Sequence, residues 1–168
     1  MRFLRNQTMK REGVGMMNTE TKPVAEVRAD TMIWVAAGLS LFAGVVHWAV
    51  SPGYLAYWWG YGFFFIIAGI CQIAYALGIF AMQAFAPPAG EAERSSEPPR
   101  HAIYLLGALG NAAIVALYIV TRTIGVPFVG PAEDVVLPLT PESVAVTLAE
   151  IVLIVILFSL ARRRTRPI

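Results

Sequence analysis

Apolar positions run along this chain in four long blocks, separated by short stretches of proline, glycine and charge. The first block, Thr31–Val50, contains no charge. The second covers about Tyr57–Phe85, the third runs from His101 to about Val120 or Arg122, and the fourth covers about Glu142–Ala161. Each reaches the roughly 20 apolar residues that an α-helix needs to cross a bilayer core. The second is longer, and tilt or an interfacial first turn through Trp58 and Trp59 would absorb the excess. Ser51-Pro52-Gly53 is expected to break the first helix. Residues 86–100 hold two proline pairs and are expected to form a solvated loop. Asp30 reads as an N-cap, and Thr140-Pro141-Glu142 as N-cap, N1 and N2 of the last helix. The pattern predicts an all-α fold, a four-helix transmembrane bundle.

Polar residues inside a span are costly unless they face protein, so their helical phase is informative. Ala36, Ser40, Gly44 and His47 share one face of the first span. Tyr61, Phe65, Ala68, Gln72 and Tyr75 share one face of the second. Gly107, Asn111, Tyr118 and Arg122 align on the third, and Ser143, Thr147 and Glu150 on the fourth. The expected interior is built from these small and polar stripes, with Leu, Ile, Phe and Val turned to lipid. For Ser40, Gln72, Asn111 and Thr147 the simplest role is packing, with interhelical hydrogen bonds worth roughly 0.6–2 kcal/mol each.

Composition agrees with this layout. Of the 168 residues, 57% are hydrophobic and 14% charged, with mean hydropathy +0.62. A soluble domain carries about twice that charge. The net charge of +2 gives no reason to expect nucleic acid as a partner. Orientation follows from the basic residues. Of the 13 Lys and Arg, all but Arg122 fall in 1–30, in 86–100 or in the tail after Ala161. Four spans place these three segments on one side, so both termini are expected in the cytoplasm of a multi-pass plasma-membrane protein. Three or five spans would destroy the asymmetry. Residues 1–30 lack the apolar core of a secretory signal and read as a mostly disordered cytoplasmic extension, with Met9, Met16 and Met17 as alternative starts. Residues 31–161 form the transmembrane domain and 162–168 a basic tail.

A weak repeat runs at an offset of 70. Ile33-Trp34 aligns with Ile103-Tyr104, and Leu39, Ala43, Val45 and Val50 match Leu109, Ala113, Val115 and Val120. Trp48 falls on Tyr118, and Ser51 on Thr121. If the chain arose by duplication, its halves are parallel repeats about an axis along the membrane normal.

Candidate chemistry is concentrated in the outer half. Read from the span boundaries above, His47 lies about a turn below the outer end of the first span and Arg122 at the outer end of the third. Glu150 lies roughly 12 Å into the fourth. With Tyr118 and Tyr61 they make a candidate site for an ion, a metal or a small polar or quinone-like ligand. The alternative is a buried ion pair between Arg122 and Glu150 that fixes helix register. The apolar loop 124–141 is expected to lie over this mouth. A bis-histidine haem is excluded, because His47 and His101 fall at opposite ends, roughly 20 Å apart. Cys71 is the only cysteine and reads as a small hydrophobe. The aromatic group around Trp58 and Trp59 reads as an interfacial belt. No phosphate loop, paired Cys/His spacing or nucleophile with a partner base is present.

The run Thr121-Arg122-Thr123-Ile124-Gly125-Val126-Pro127, with Glu150 in the following apolar helix, has a recognisable form. So does His47 followed by Tyr61-Gly62-Phe63-Phe64 and Gln72. Over about residues 32–160 the chain resembles a group of small four-span membrane proteins from bacteria and archaea. In that group an Arg-Thr-x-Gly-x-Pro stretch follows the third helix and a glutamate lies within the fourth. The resemblance implies the topology and the same choice of residues, and no activity. The 132–142 loop departs from the group's pattern, so nothing is carried to Glu133 and Asp134. Two functions are therefore expected. The first is a non-enzymatic structural or accessory subunit of a membrane complex or homo-oligomer. The second is a ligand or ion site in the outer half of the bundle.

Overall fold

The computed structural model describes residues 24–85, 100–125 and 137–163. The first 23 residues, the 86–99 loop, residues 126–136 and the end of the basic tail lie outside the described residues, and with them most of the loop expected to lie over the outer mouth. The described chain is all-helical: α1 Val24–Tyr57, α2 Trp59–Ala84, α3 Arg100–Thr123 and α4 Pro141–Arg163. All four helices are long and apolar enough to cross a membrane.

α1 departs from the sequence reading at both ends. It begins at Val24, so Asp30 is not an N-cap but an interior residue, whose carboxylate accepts from Gln83 Nε2 at 3.1 Å. At the other end, Ser51-Pro52-Gly53 does not break it; the helix runs on to Tyr57. Proline removes the N–H that would bond the carbonyl four residues back, here that of Trp48. The Ser51 hydroxyl donates to that same carbonyl at 2.8 Å. A side chain thus replaces the missing backbone donor, the means by which proline is tolerated inside membrane helices. Thr121 Oγ1 makes the equivalent bond to Tyr118 O at 3.0 Å, at the positions that the offset of 70 aligns with Ser51 and Trp48.

The α1–α2 corner is one residue long. Trp58 is extended, and its N–H donates to Tyr54 O at 2.8 Å. Beyond it the two helices cross closely. A Cβ on Gly44 would stand 2.9 Å from Gly69 O, and one on Gly69 would stand 2.9 Å from Gly44 O. Backbone meets backbone only because both positions are glycine.

α1 packs along α2, α3 along α4, and α1 along α4. α2 and α3 are not a packed pair; two hydrogen bonds bridge them, Gln72 Nε2 to Asn111 Oδ1 at 3.0 Å and the Tyr75 hydroxyl to Ile103 O at 3.0 Å. The order of packing is therefore α2–α1–α4–α3, and the fourth side of the bundle stands open as a cleft.

The interior has two parts. Toward the termini it is filled by Ile33, Ile79, Tyr104, Leu153, Leu157 and Leu160. An interior made only of small and polar stripes is thus corrected for this half, where aliphatic side chains fill the centre. Toward the corner, the buried polar residues are His47, Ser51, Gln72, Asn111, Thr121, Thr147 and Glu150, beside Tyr61 and the apolar Ala68, Leu137 and Val146. Trp34, Phe42, Trp48, Phe63, Leu106 and Leu148 are among the large apolar side chains on the outside.

Candidate functional site

Glu150 is the centre of the polar half and is 1% exposed. Its Oε1 receives Gln72 Nε2 at 2.8 Å and faces His47 Nε2 at 2.9 Å. α1, α2 and α4 thus converge on one carboxylate oxygen, and the Gln72–Asn111 bond adds α3. The amide orientations follow from donor accounting. Asn111 Nδ2 donates to Gly107 O at 2.8 Å, which turns Asn111 Oδ1 toward Gln72. Gln72 therefore meets two acceptors, Asn111 Oδ1 and Glu150 Oε1, and must present its NH₂ group to both. Its carbonyl oxygen is left over. Ser40 Oγ donates to the Gln72 backbone carbonyl at 2.9 Å and pins the same turn of α2.

The close crossing of α1 and α2 aligns these groups, since His47 and Gln72 each follow their crossing glycine by three residues. The continuation of α1 matters equally. Because the helix ends at Tyr57, His47 lies roughly 15 Å from the corner end, and Glu150 roughly 13 Å from the start of α4. The two groups are level.

Arg122 has different partners from those the sequence suggested. It does not hydrogen-bond Glu150. Its Nη1 donates to Thr121 Oγ1 at 3.0 Å and its Nη2 to the Tyr54 hydroxyl at 3.4 Å. The guanidinium also lies over the Tyr118 ring, 4.6 Å from the centroid, a cation–π arrangement. Among the described residues no carboxylate lies within ion-pair distance of it.

Between these two groups lies a cavity of about 240 Å³. Its lining includes His47, Tyr54, Tyr61, Phe65, Tyr118, Arg122, Thr147 and Glu150, with Thr121, Thr140, Glu142 and Ser143 toward the start of α4 and Val50, Leu117, Leu137 and Val146 as apolar wall. Tyr54 and Phe65 stand 4.4 Å apart between centroids, and Phe65 lies 5.3 Å from the His47 ring, so one side is aromatic. Leu137 closes part of the mouth, and its N–H donates to Thr121 O at 3.1 Å. Gly125 begins this loop with φ 70°, a conformation that suits glycine at the end of a helix. The loop's other end is fixed by Thr140 Oγ1, which caps the Ser143 N–H at 3.3 Å, while Ser143 Oγ accepts from Thr140 N at 3.1 Å. Ile124 and Leu139 point outward.

Among the described residues, four buried side-chain atoms have no hydrogen-bond partner: Tyr61 Oη, Gln72 Oε1, Arg122 Nε and Glu150 Oε2. The residues of three of them, Tyr61, Arg122 and Glu150, line the corner cavity. Buried polar atoms are nearly always paired, so such a group calls for an explanation.

Of the five candidate site residues, His47 and Glu150 meet directly, and Tyr61, Tyr118 and Arg122 line the same cavity without bonding that pair. Thr147 also lines it, with its hydroxyl donating to Ser143 O at 2.8 Å. The sequence reading placed Tyr54 in the aromatic belt and missed it as one of the two hydrogen-bond partners of Arg122. Carrying the helical period through Pro52 would have found it, since Ser51 and Tyr54 continue the face of His47. His101 sits at the terminal end, where its Nδ1 donates to Ala161 O at 3.1 Å. Among the described residues no group of three His, Cys, Asp or Glu side chains is placed to hold a metal ion. No family model, curated protein or solved structure matches this chain.

Proposed function

We propose that this is a multi-pass plasma-membrane protein, with both termini cytoplasmic, that binds a small oxygenated ring molecule of the quinol or phenol type in its corner cavity. One observation carries the reading. Tyr61, Arg122 and Glu150 all line one largely apolar cavity, and each carries a buried atom without a hydrogen-bond partner: an acceptor, Glu150 Oε2, a donor, Arg122 Nε, and a hydroxyl able to do either, Tyr61 Oη. A ring hydroxyl donates to the carboxylate and accepts from the guanidinium or the phenol. The aromatic wall suits a planar ring. The volume of about 240 Å³ is larger than the roughly 150 Å³ that holds benzene in an engineered cavity.

A purely structural role, as an accessory subunit of a larger assembly, is supported by the Glu150 cluster, which ties all four helices into register. That reading leaves the three unpartnered atoms unexplained, so ligand binding is preferred. The test is equilibrium binding of 5-methylresorcinol to the purified chain. Saturable binding to the native protein, weakened at least tenfold in Glu150→Gln, is expected. No binding, or equal binding by the two proteins, would overturn the reading.

Orientation rests on the Lys and Arg distribution. In a Cys71→Ser background, Ala132→Cys should react with impermeant thiol reagents on intact cells and Ser95→Cys should not. The opposite pattern would invert the topology.

A further inference from the structure

The open side of the bundle holds a second cavity, of about 410 Å³, between α2 and α3. We infer that this cleft takes the hydrocarbon chain of the molecule whose ring the corner cavity takes, so that the ligand is a long-tailed phenol or quinol lipid. The inference rests on the reading of the corner cavity given above.

Three observations lead to it. First, the cleft adjoins the corner cavity, since Phe64 and Ile114 line both. A chain leaving the ring passes between these two side chains without entering water. Second, its walls suit hydrocarbon. Ile67, Ala68, Leu106 and Gly110 contribute no polar side chain, the Ser40 hydroxyl is bonded to Gln72 O, and the Asn111 amide is bonded to Gln72 and Gly107 O, which leaves Gln72 Oε1 as the one lining side-chain atom buried without a partner among the described residues. A Cβ on Gly110 would meet nothing within 4 Å, so the cleft is open there. Third, the cleft is closed at its far end. The Tyr75 ring lies over Gly107, where a Cβ would collide with it, and the Tyr75 hydroxyl is bonded to Ile103 O. From Phe64 to Tyr75 the path along α2 is roughly 16 Å, enough for a medium chain. A partner helix, about 10 Å across with its side chains, would lie along the outside without reaching the corner cavity.

Cys71 is the chain's only cysteine, lies on this cleft and is exposed, so it reports on occupancy. The experiment follows its alkylation by N-ethylmaleimide, by intact-mass spectrometry on the full chain in detergent. The probes are 5-methylresorcinol, 5-decylresorcinol and decanol. The decyl compound is expected to slow alkylation at least fivefold, and the other two to leave the rate unchanged. Gly110→Trp, which fills the cleft, should abolish the affinity gained from the chain while 5-methylresorcinol still binds. If both resorcinols bind and neither protects Cys71, the tail lies elsewhere and only the cleft assignment falls. If neither binds, the reading of the corner cavity fails and takes this inference with it. Equal protection by decanol would make the cleft a general hydrocarbon groove and overturn the link to the ring. Slow alkylation without any probe, together with a dimer by light scattering, would assign the cleft to a second copy and also overturn it.

Discussion

His47 of α1 and Glu150 of α4 are 103 positions apart in sequence and meet at 2.9 Å in the buried polar half, with a proton between Nε2 and Oε1. Removing one member leaves the other's buried polar atom without that partner, which typically costs about 1–3 kcal/mol. His47→Leu and Glu150→Leu should each lower stability on that scale, and the double variant should lose less than the sum. Arg122→Gln combined with Glu150→Leu should be close to additive, since Arg122 bonds Tyr54 and Thr121 instead. Thermal or denaturant unfolding in detergent measures both cycles. Additive losses for His47 and Glu150 would deny the pair.

Tyr61→Phe offers a separation of fold from function. The hydroxyl is buried and bonds nothing among the described residues, so deleting it removes an unmet polar group instead of breaking a bond. Stability should be unchanged or raised, while affinity for 5-methylresorcinol falls. A loss of stability equal to that of an ordinary buried hydrogen bond would show that the hydroxyl has a partner within the protein.

Ser51 and Pro52 are predicted to be coupled. Ser51→Ala leaves the Trp48 carbonyl without a donor, at a cost of about 1–3 kcal/mol. In the Pro52→Ala background the backbone N–H returns, and the same serine substitution should cost much less. Equal effects in the two backgrounds would mean that the hydroxyl does not stand in for the missing amide.

Glycines along these helices should divide by what surrounds them. Gly44→Ala places a Cβ against the backbone of Gly69 and Ile73, and such overpacking costs about 1–3 kcal/mol. Because it separates α1 from α2, it should also weaken probe binding. A Cβ on Gly38 or Gly78 meets nothing, so Gly38→Ala and Gly78→Ala should be neutral or stabilise by up to about 1 kcal/mol. Thermal midpoints of the three variants decide the matter.

The number and approximate limits of the helices can be read from hydropathy alone, because runs of this length without charge have few other uses. Helical phase also picked out residues that the fold buries on one side, among them Ser40, His47, Gln72, Asn111 and Glu150. Partnership was not legible, and the reason is local. Proline followed by glycine reads as a break, yet α1 runs through it, with the Ser51 hydroxyl bonded to the Trp48 carbonyl that Pro52 leaves without its backbone donor. Ending the helix at Val50 places His47 about ten ångströms too near the surface, which left Arg122 as the apparent partner of Glu150. The tight crossing at Gly44 and Gly69 was equally hidden, since a small residue on a polar face has no mark that distinguishes backbone contact from simple packing. The aliphatic half of the interior was hidden too, because Leu153 and Leu157 look the same in sequence as the leucines on the outside.

The unpacked side between α2 and α3 has a consequence for how occupancy must be expressed. With the four helices spanning a bilayer as proposed, a molecule that reaches the polar half from that side would arrive out of the hydrocarbon phase, not out of water. The relevant concentration is then its mole fraction among the lipids, and partitioning alone raises that well above the aqueous value. A site of modest intrinsic affinity would stay filled at trace amounts in solution. Its apparent dissociation constant, stated against bulk concentration, would change with the amount of lipid or detergent in the sample while the protein itself stayed the same.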